Sequence, residues 1–339
     1  MVSLPFWSLA IVGTRVGGRR SSPPDAHRED LYNRSMTPLR VGYLGPEGSF
    51  SHEAGATLAG VDLVACETIA DLLQAVATGA LDQGLAPLEN AIEGTVSATI
   101  DGLVFDHELF IEREIVMPIR LHLLARPSTS LEDVRQVSSH VHALAQCRGY
   151  LATLGSVVSE QTTSTSQAAR VVAESSEPWA AVGSAIAGRL FGLNVLASDI
   201  EDHPGNATRF VLVGRQDIAA ATGHDRTTIV CFQDADRPGS LYAILGRFAA
   251  RDINLTKLES RPTKQGLGNY CFVIEFEGHL GDDIVADCLT DLQAHLVRVK
   301  LLGSYPVTGE GAADRREDVL SARSSAQAWM HGLRARIRT

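Results

Sequence analysis

Lysine is almost missing from this chain: of 30 basic residues only Lys257, Lys264 and Lys300 are lysines, and arginine supplies the rest. The skew follows a coding bias that also favours Ala and Gly, and it carries no mechanism. Metal and disulfide signatures are missing as well. The five cysteines (Cys66, Cys147, Cys231, Cys271, Cys288) are scattered, with no C-x-x-C pair and no His-Cys cluster at ligand spacing. That pattern excludes a disulfide frame and a zinc site and fits reduced thiols in a cytoplasm. No apolar stretch reaches the roughly 18 residues of a membrane-spanning helix. Nor is there an excess of positive charge: the formal net charge is −10, which argues against nonspecific nucleic-acid binding. An anionic ligand must therefore be held by local positive features in a negative background.

The start of the chain also lacks a secretory pattern. Its apolar run, Leu4 to Val12, precedes Arg15, Arg19 and Arg20, whereas a signal peptide puts its charges first. Residues 1–38, with Gly17-Gly18 and Ser21-Ser22-Pro23-Pro24, read as a disordered extension or as the product of a start codon placed upstream of Met36. A cytoplasmic location is expected.

The rest is an ordinary globular composition, 45% hydrophobic and 21% charged over 339 residues, enough for two or three domains with their own cores. From 39 to about 215, short β-branched runs such as Val41–Leu44 and Leu63–Cys66 alternate with Ala- and Leu-rich helical segments such as Glu53–Leu58 and Ile69–Thr78. This alternation predicts an α/β fold with largely parallel strands. A second lobe is expected over about 119–195, with 196–215 returning to the first lobe, 39–118. After a linker over 216–225, the patterns run strand, helix, strand, strand, helix and strand across 226–305, the order of a ferredoxin-like βαββαβ domain. Residues 306–339 form a polar tail with a short helical pattern around Val319–Ile337.

Several segments hold residues suited to binding an anion. Gly45-Pro46-Glu47-Gly48-Ser49-Phe50-Ser51 lies between a strand and a helix, where backbone N–H groups and the helix dipole favour a carboxylate, although Ser49 also serves as a plain helix cap. Glu89 and Asn90 place an acceptor and a donor after a strand, at the sheet edge where α/β folds take ligands. Thr162-Thr163-Ser164-Thr165-Ser166 opens another helix, again as caps or as a carboxylate site. Ser138-Ser139-His140-Val141-His142 offers histidines without an assignable carboxylate partner. Asn206-Ala207-Thr208-Arg209-Phe210 sets a hydroxyl beside a guanidinium at the entrance to the apolar run Phe210–Val213.

Taken together and in order, these segments resemble prephenate dehydratases. Asn206–Phe210 is similar to the family's Asn-x-Thr-Arg-Phe signature, and Gly45–Ser51 to Gly-Pro-x-Gly-Thr-Phe-Ser with Ser49 in place of Thr. Pro87–Val96 resembles Pro-Ile-Glu-Asn-Ser-x-x-Gly-x-Val, with Ala91 in place of the Ser. Ser164 and Thr165 fit a Ser-Thr-Ala-x-Ala stretch. Ser139–Cys147 resembles Ser-His-Pro-Gln-Ala-Leu-Ala-Gln-Cys, with Val141 and His142 in place of Pro and Gln. Gly239-Ser240-Leu241 and Glu259-Ser260-Arg261-Pro262 are similar to the Gly-Ala-Leu and Glu-Ser-Arg-Pro motifs of the ACT regulatory domains attached to that family. The resemblance covers about 39–305.

The resemblance implies a two-lobed, periplasmic-binding-protein-like catalytic domain with an ACT domain after it. It implies the decarboxylating dehydration of prephenate to phenylpyruvate, in phenylalanine biosynthesis, without metal or cofactor. Thr208 is then the catalytic residue, and Ser49, Glu89, Asn90, Ser164, Thr165, Arg209 and Phe210 bind substrate. Gly239, Ser240, Leu241, Asn254, Leu255, Glu259 and Ser260 bind phenylalanine as an inhibitory effector, in a homodimer or homotetramer. Arg209 either holds a carboxylate or braces the cleft through a fork of hydrogen bonds. Other readings are an arogenate dehydratase, a decarboxylase that does not dehydrate (for which Ala91 leaves room), and a non-catalytic protein that clamps a small anion.

Overall fold

The computed structural model describes residues 38–215, 218–233, 238–264, 266, 269–295 and 298–308, with short helical pieces between 324 and 336. The expected N-terminal extension and most of the tail lie outside the described residues.

Lobe 1 is a sheet of β1 (Leu39–Leu44), β2 (Val61–Cys66), β3 (Gln83–Asn90), the two-residue β4 (Gly94–Thr95), β5 (Phe110–Pro118) and β11 (Ala207–Gly214). Its helices are α1 (Phe50–Gly55), α2 (Ile69–Thr78) and α3 (Ser97–Asp101), the last running into a π turn at Gly102–Asp106. Lobe 2 has β6 (His122–Ala125), β7 (Gln136–Ser139), β8 (Val158–Gln161), β9 (Trp179–Gly183) and β10 (Asn194–Ala197). Packed with them are α4 (Val141–Gln146), α5 (Arg148–Thr153), α6 (Thr165–Glu174) and α7 (Ala185–Leu190). The third domain runs β12 (Asp225–Phe232), α8 (Ser240–Ala249), β13 (Leu255–Pro262), β14 (Tyr270–Glu277), α9 (Asp283–His295) and β15 (Arg298–Pro306), the ferredoxin-like order expected.

The strands are less parallel than the alternation implies. β1 pairs in parallel with β2 and β3, but β11 runs antiparallel to both β3 and β5. In lobe 2, β7 is parallel to β8 and β9, whereas β6 is antiparallel to β9 and β10. The reason is topological. β11 returns from lobe 2 and enters the lobe 1 sheet from the opposite end. β10 still belongs to the lobe 2 sheet, so the return begins after Ala197 and not at 196.

Local signals account for most helix ends. Ser49, Thr68, Ser164 and Ser184 each accept a backbone N–H at a helix start, and Gly79 closes α2 in the left-handed region at φ 82°.

Two cores flank the lobe 1 sheet. On one face Val41, Tyr43, Leu85, Phe210 and Leu212 pack with Ala54 of α1. On the other, Ala86, Leu88, Val211 and Val213 pack with α2, α3 and the back of the third domain through Val230, Val273, Leu302 and Tyr305. The helices α8 and α9 cover the opposite side of the ferredoxin-like sheet with Ile244, Phe248 and Leu292. Period-two alternation thus lets one strand, β11, serve two domains at once.

The two sheets also join edge to edge. β15 lies parallel to β5 with Gly303 opposite Ile111, which makes one ten-stranded sheet in the order β13-β14-β12-β15-β5-β11-β3-β1-β2, with β4 attached to β3. A Cβ at Gly303 would lie 2.3 Å from the Ile111 carbonyl oxygen, so the junction requires glycine. No described helix is long and apolar enough to cross a membrane.

Candidate active site

The start of β11 lies against the end of β3, with Thr208 opposite Asn90 and Arg209 opposite Glu89. Plain alternation along β3 would put Glu89 on the same face as Leu85 and Pro87. The register shifts there, from Phe210 opposite Pro87 to Arg209 opposite Glu89, so Leu88 is an extra residue. The bulge reverses the parity of the residues beyond it. Asn90 therefore joins Thr208 on the α1 face, and Glu89 joins Arg209 on the face toward the third domain.

On the α1 face the geometry fixes the direction of one hydrogen bond. Asn90 Oδ1 accepts the backbone N–H groups of Ile92 and Glu93, at 2.9 and 3.0 Å. The amide nitrogen must then be the group facing Thr208, and Nδ2 donates to Thr208 Oγ1 at 2.9 Å. Thr208 is buried and accepts this bond, so its own proton is directed elsewhere, and among the described residues no acceptor takes it. Two residues earlier, buried Asn206 donates Nδ2 to Gln146 Oε1 of lobe 2 at 3.0 Å, while its Oδ1 has no partner among the described residues. A free donor and a free acceptor thus sit two residues apart, where lobe 1 meets lobe 2.

On the opposite face Arg209 is enclosed by carboxylates. Its Nη2 lies 2.9 Å from Glu89 Oε2 and 2.9 Å from both oxygens of Glu275 on β14, and its Nη1 lies 3.4 Å from Glu114 Oε2 on β5. Burial works against the guanidinium charge, but Glu275 and Glu114 more than offset it and raise the Arg209 pKa above an arginine's ordinary value. Glu89 is shared: Lys257 Nζ of β13 reaches its other oxygen at 3.2 Å. Partial burial pushes the Glu89 carboxyl up, Lys257 and Arg209 pull it down, and the net result lies below the usual value. Arg226 Nη1 of β12 completes the cluster, 2.6 Å from Glu114 Oε2.

The sequence-derived site residues therefore divide. Thr208 and Asn90 come together. Arg209 and Glu89 were expected on substrate, but their charges are spent on each other and on the third domain. The bonds of Arg209 to Glu89, Glu114 and Glu275 match the bracing role among the two open to it. Phe210 is wholly buried against Tyr43 and Leu85 and forms the apolar floor beneath Thr208. Ser49 Oγ donates to the Leu44 carbonyl at 3.0 Å and accepts the His52 N–H at 3.2 Å, which makes it a cap. Ser164 likewise caps α6 through the Gln167 N–H at 3.0 Å, and Thr165 is the first residue of that helix.

The two lobes are tied by hydroxyls absent from the expected set. Ser184 Oγ donates to the Gly48 carbonyl at 2.9 Å, and Ser166 Oγ to the Glu47 carbonyl. The histidines also find their carboxylate: His142 Nδ1 lies 2.7 Å from Glu93 Oε1, and the His140 and His142 rings stack at 5.1 Å. Burial and the adjacent His142 lower the His140 pKa, against the pull of Glu93.

In the third domain Gly239 caps α8 with φ 87° and leads into Ser240 and Leu241, while Asn254 and Leu255 lead into β13. The alternation of β13 separates the remaining two expected effector residues. Glu259 turns to lobe 1, where it accepts from Thr95 Oγ1 at 2.7 Å and from Arg261 Nη1 at 3.0 Å, and Ser260 is exposed on the other side.

The fold and site together define a class: a two-lobed α/β domain with a donor and an acceptor at the lobe junction, backed by a ferredoxin-like domain. Comparison with known proteins gives both parts a family. The Prephenate dehydratase family model matches residues 41–218 and the ACT domain model residues 227–293. The chain belongs to the prephenate dehydratase family. It is 41% identical over 271 residues to a bifunctional chorismate mutase/prephenate dehydratase of Aquifex aeolicus, covering 79% of this chain and 74% of that one. It is 38% identical over 314 residues to a prephenate dehydratase of Mycolicibacterium vanbaalenii, covering 87% and 98%. Among solved structures it is similar to the prephenate dehydratase of Arthrobacter aurescens in complex with L-Phe, with a TM-score of 0.75, 36% identity, and coverage of 87% of this chain and 99% of that one.

Proposed function

We propose that this protein converts prephenate to phenylpyruvate at the junction of its two lobes, with Thr208 as the hydrogen-bond donor to the departing hydroxyl. The observation that carries the reading is the direction of the Asn90–Thr208 bond, which leaves the threonine proton free for a ligand. In the reaction the bond from the ring to its carboxylate breaks and releases carbon dioxide. The electron pair enters the ring, the carbon–oxygen bond to the hydroxyl breaks, and the hydroxide takes up one proton to leave as water. Aromatisation supplies the driving force, so the protein's part is to hold the dianion in a reactive pose and to stabilise charge on the leaving oxygen. A threonine hydroxyl is too weak an acid to release its proton at neutral pH. Thr208 therefore stabilises by hydrogen bonding, and the consumed proton comes from solvent.

Asn206 Oδ1, a buried acceptor without a partner among the described residues, suits the substrate's hydroxyl as a donor. The hydroxyls of Ser164 and Thr165, with the N–H groups at the start of α6, suit a carboxylate. Arogenate carries an amine where prephenate has a ketone, and the same reaction at the ring applies to it.

Phenylalanine is the proposed effector, taken at the start of α8 by Gly239, Ser240 and Leu241 and along β13 by Asn254, Leu255 and Ser260, in a homo-oligomer. Glu259 bears on that site only from the lobe 1 side. Incubation of purified protein with prephenate and then alkaline absorbance of phenylpyruvate tests the activity, and no phenylpyruvate above the uncatalysed rate refutes it. Ser260→Ala is expected to weaken inhibition by phenylalanine at unchanged basal turnover, and unaltered inhibition would place the effector elsewhere.

A further inference from the structure

We propose that Glu275 of the ACT domain is a positioning residue for the reaction in lobe 1, acting through Arg209 on Thr208. The inference rests on the reading of Thr208 as the reacting centre and adds to it a dependence on the third domain.

Glu275 is a buried carboxylate, 2% exposed, on the face of β14 that meets lobe 1. Both its oxygens accept from one nitrogen of Arg209 at 2.9 Å, and among the described residues that is its one side-chain partner given by the geometry. Arg209 is the residue after Thr208. In a strand, adjacent side chains project to opposite faces, so a displacement of Arg209 is transmitted through one rigid peptide to the Thr208 hydroxyl. A second connection runs in parallel. Lys257 of β13 holds Glu89 at 3.2 Å, and Glu89 is the residue before Asn90, the donor that orients Thr208. The ACT domain thus grips both strands of the reacting pair one residue from the pair itself.

The charges of the connected cluster balance, five against five: Glu89, Asp101, Glu114, Glu259 and Glu275 against Arg209, Arg226, Lys257, Arg261 and Lys264. A balanced, largely buried network keeps one arrangement only while every member stays in place. A shift of β14 or β13 that pulls one carboxylate away leaves the others to re-pair, and Arg209 moves with them. This is a physical route by which a ligand on the ACT domain alters turnover without touching the substrate, provided it favours one placement of these strands.

The test is a double-mutant cycle in the full-length protein, with prephenate as substrate and Glu275→Gln and Thr208→Ala singly and together. A displaced reacting group costs up to about 10²-fold in rate. Glu275→Gln is therefore expected to lower kcat at least about ten-fold with KM within about three-fold, at an unchanged circular dichroism spectrum. In the Thr208→Ala background the same change is expected to cost less than about three-fold, because the group it positions is gone. Glu275→Asp keeps the charge and serves as the second variant where Glu275→Gln does not fold, with the same non-additivity expected. Normal kcat in either folded variant, or losses that multiply in the double variant, would overturn the proposal. Near-normal turnover of Thr208→Ala alone would instead remove the reading on which it rests.

Discussion

Asn90 donates to Thr208 across the β3–β11 pair at 2.9 Å, and the backbone N–H groups bound to the other end of the Asn90 amide fix that direction. The consequence is a threonine hydroxyl whose hydrogen has no acceptor among the described residues and is open to a ligand. Asn90→Asp tests this at almost constant shape. A carboxylate in that place accepts where the amide donated, so Thr208 turns its proton inward and is lost to the substrate. We expect kcat to fall about 10²-fold, the usual scale for removing one donor to developing charge, and steady-state turnover of the folded variant measures it. An unchanged kcat would mean that the direction of this bond does not matter.

Gly303 is the one residue of β15 in register with β5, and its missing Cβ is what lets the two sheets meet. The obstacle to a side chain is the Ile111 backbone, which cannot swing away as a flexible side chain does. Gly303→Ala should destabilise the protein by about 1–3 kcal/mol, the range for overpacking. It should do so mainly by loosening the ACT domain from lobe 1. Urea unfolding monitored by circular dichroism measures the loss, and limited proteolysis shows whether cleavage falls between the domains.

The interdomain ion cluster has an acid limit. The Glu89 carboxyl titrates below its ordinary 4.5 in the folded protein, so the unfolded chain binds its proton first as pH falls. The stability it contributes is complete above about 4.5 and is lost as pH drops through the lowered value. Melting temperatures recorded between about pH 5.5 and pH 3 should decline. Glu89→Gln should flatten part of that decline, and identical slopes would remove Glu89 from the account.

The thiols behave as core residues. Burial pushes the Cys147 and Cys231 thiols up to about 12 and Cys288 up to about 11, and the five described cysteines form no disulfide. Thiolate is the reactive form, so the native protein at pH 8 should resist alkylation at these three positions. All five should react after unfolding in guanidinium, and mass spectrometry counts the adducts. Rapid native modification of Cys147 would contradict its burial in the lobe 2 core.

Much of this arrangement is legible in the sequence, and the exceptions have physical causes. The order of helices and strands from 226 to 305 predicts the ferredoxin-like domain, and Asn206–Phe210 marks the start of the strand that sets Thr208 beside Asn90. Hydroxyls at helix starts are equally readable, but their capping role is the one Ser49 and Ser164 display. The split between Asn90 and Glu89 is hidden because it depends on the bulge at Leu88, a feature of pairing and not of composition. Glu114 and Glu275 are hidden for a related reason. Each is a carboxylate within a mostly apolar strand, and the arginine that justifies it lies 95 or 66 residues away along the chain. A charged residue in an apolar strand is the signal to pursue, since burial without a partner is too costly to persist.

The central claim is that Thr208 assists departure of the hydroxyl from prephenate. Phenylpyruvate formation measured side by side for the unmodified protein and Thr208→Ala tests it most directly. The account predicts steady conversion by the former and a loss of about 10²-fold or more in kcat for the latter, with the fold intact. Turnover of the folded Thr208→Ala variant close to that of the unmodified protein would contradict it.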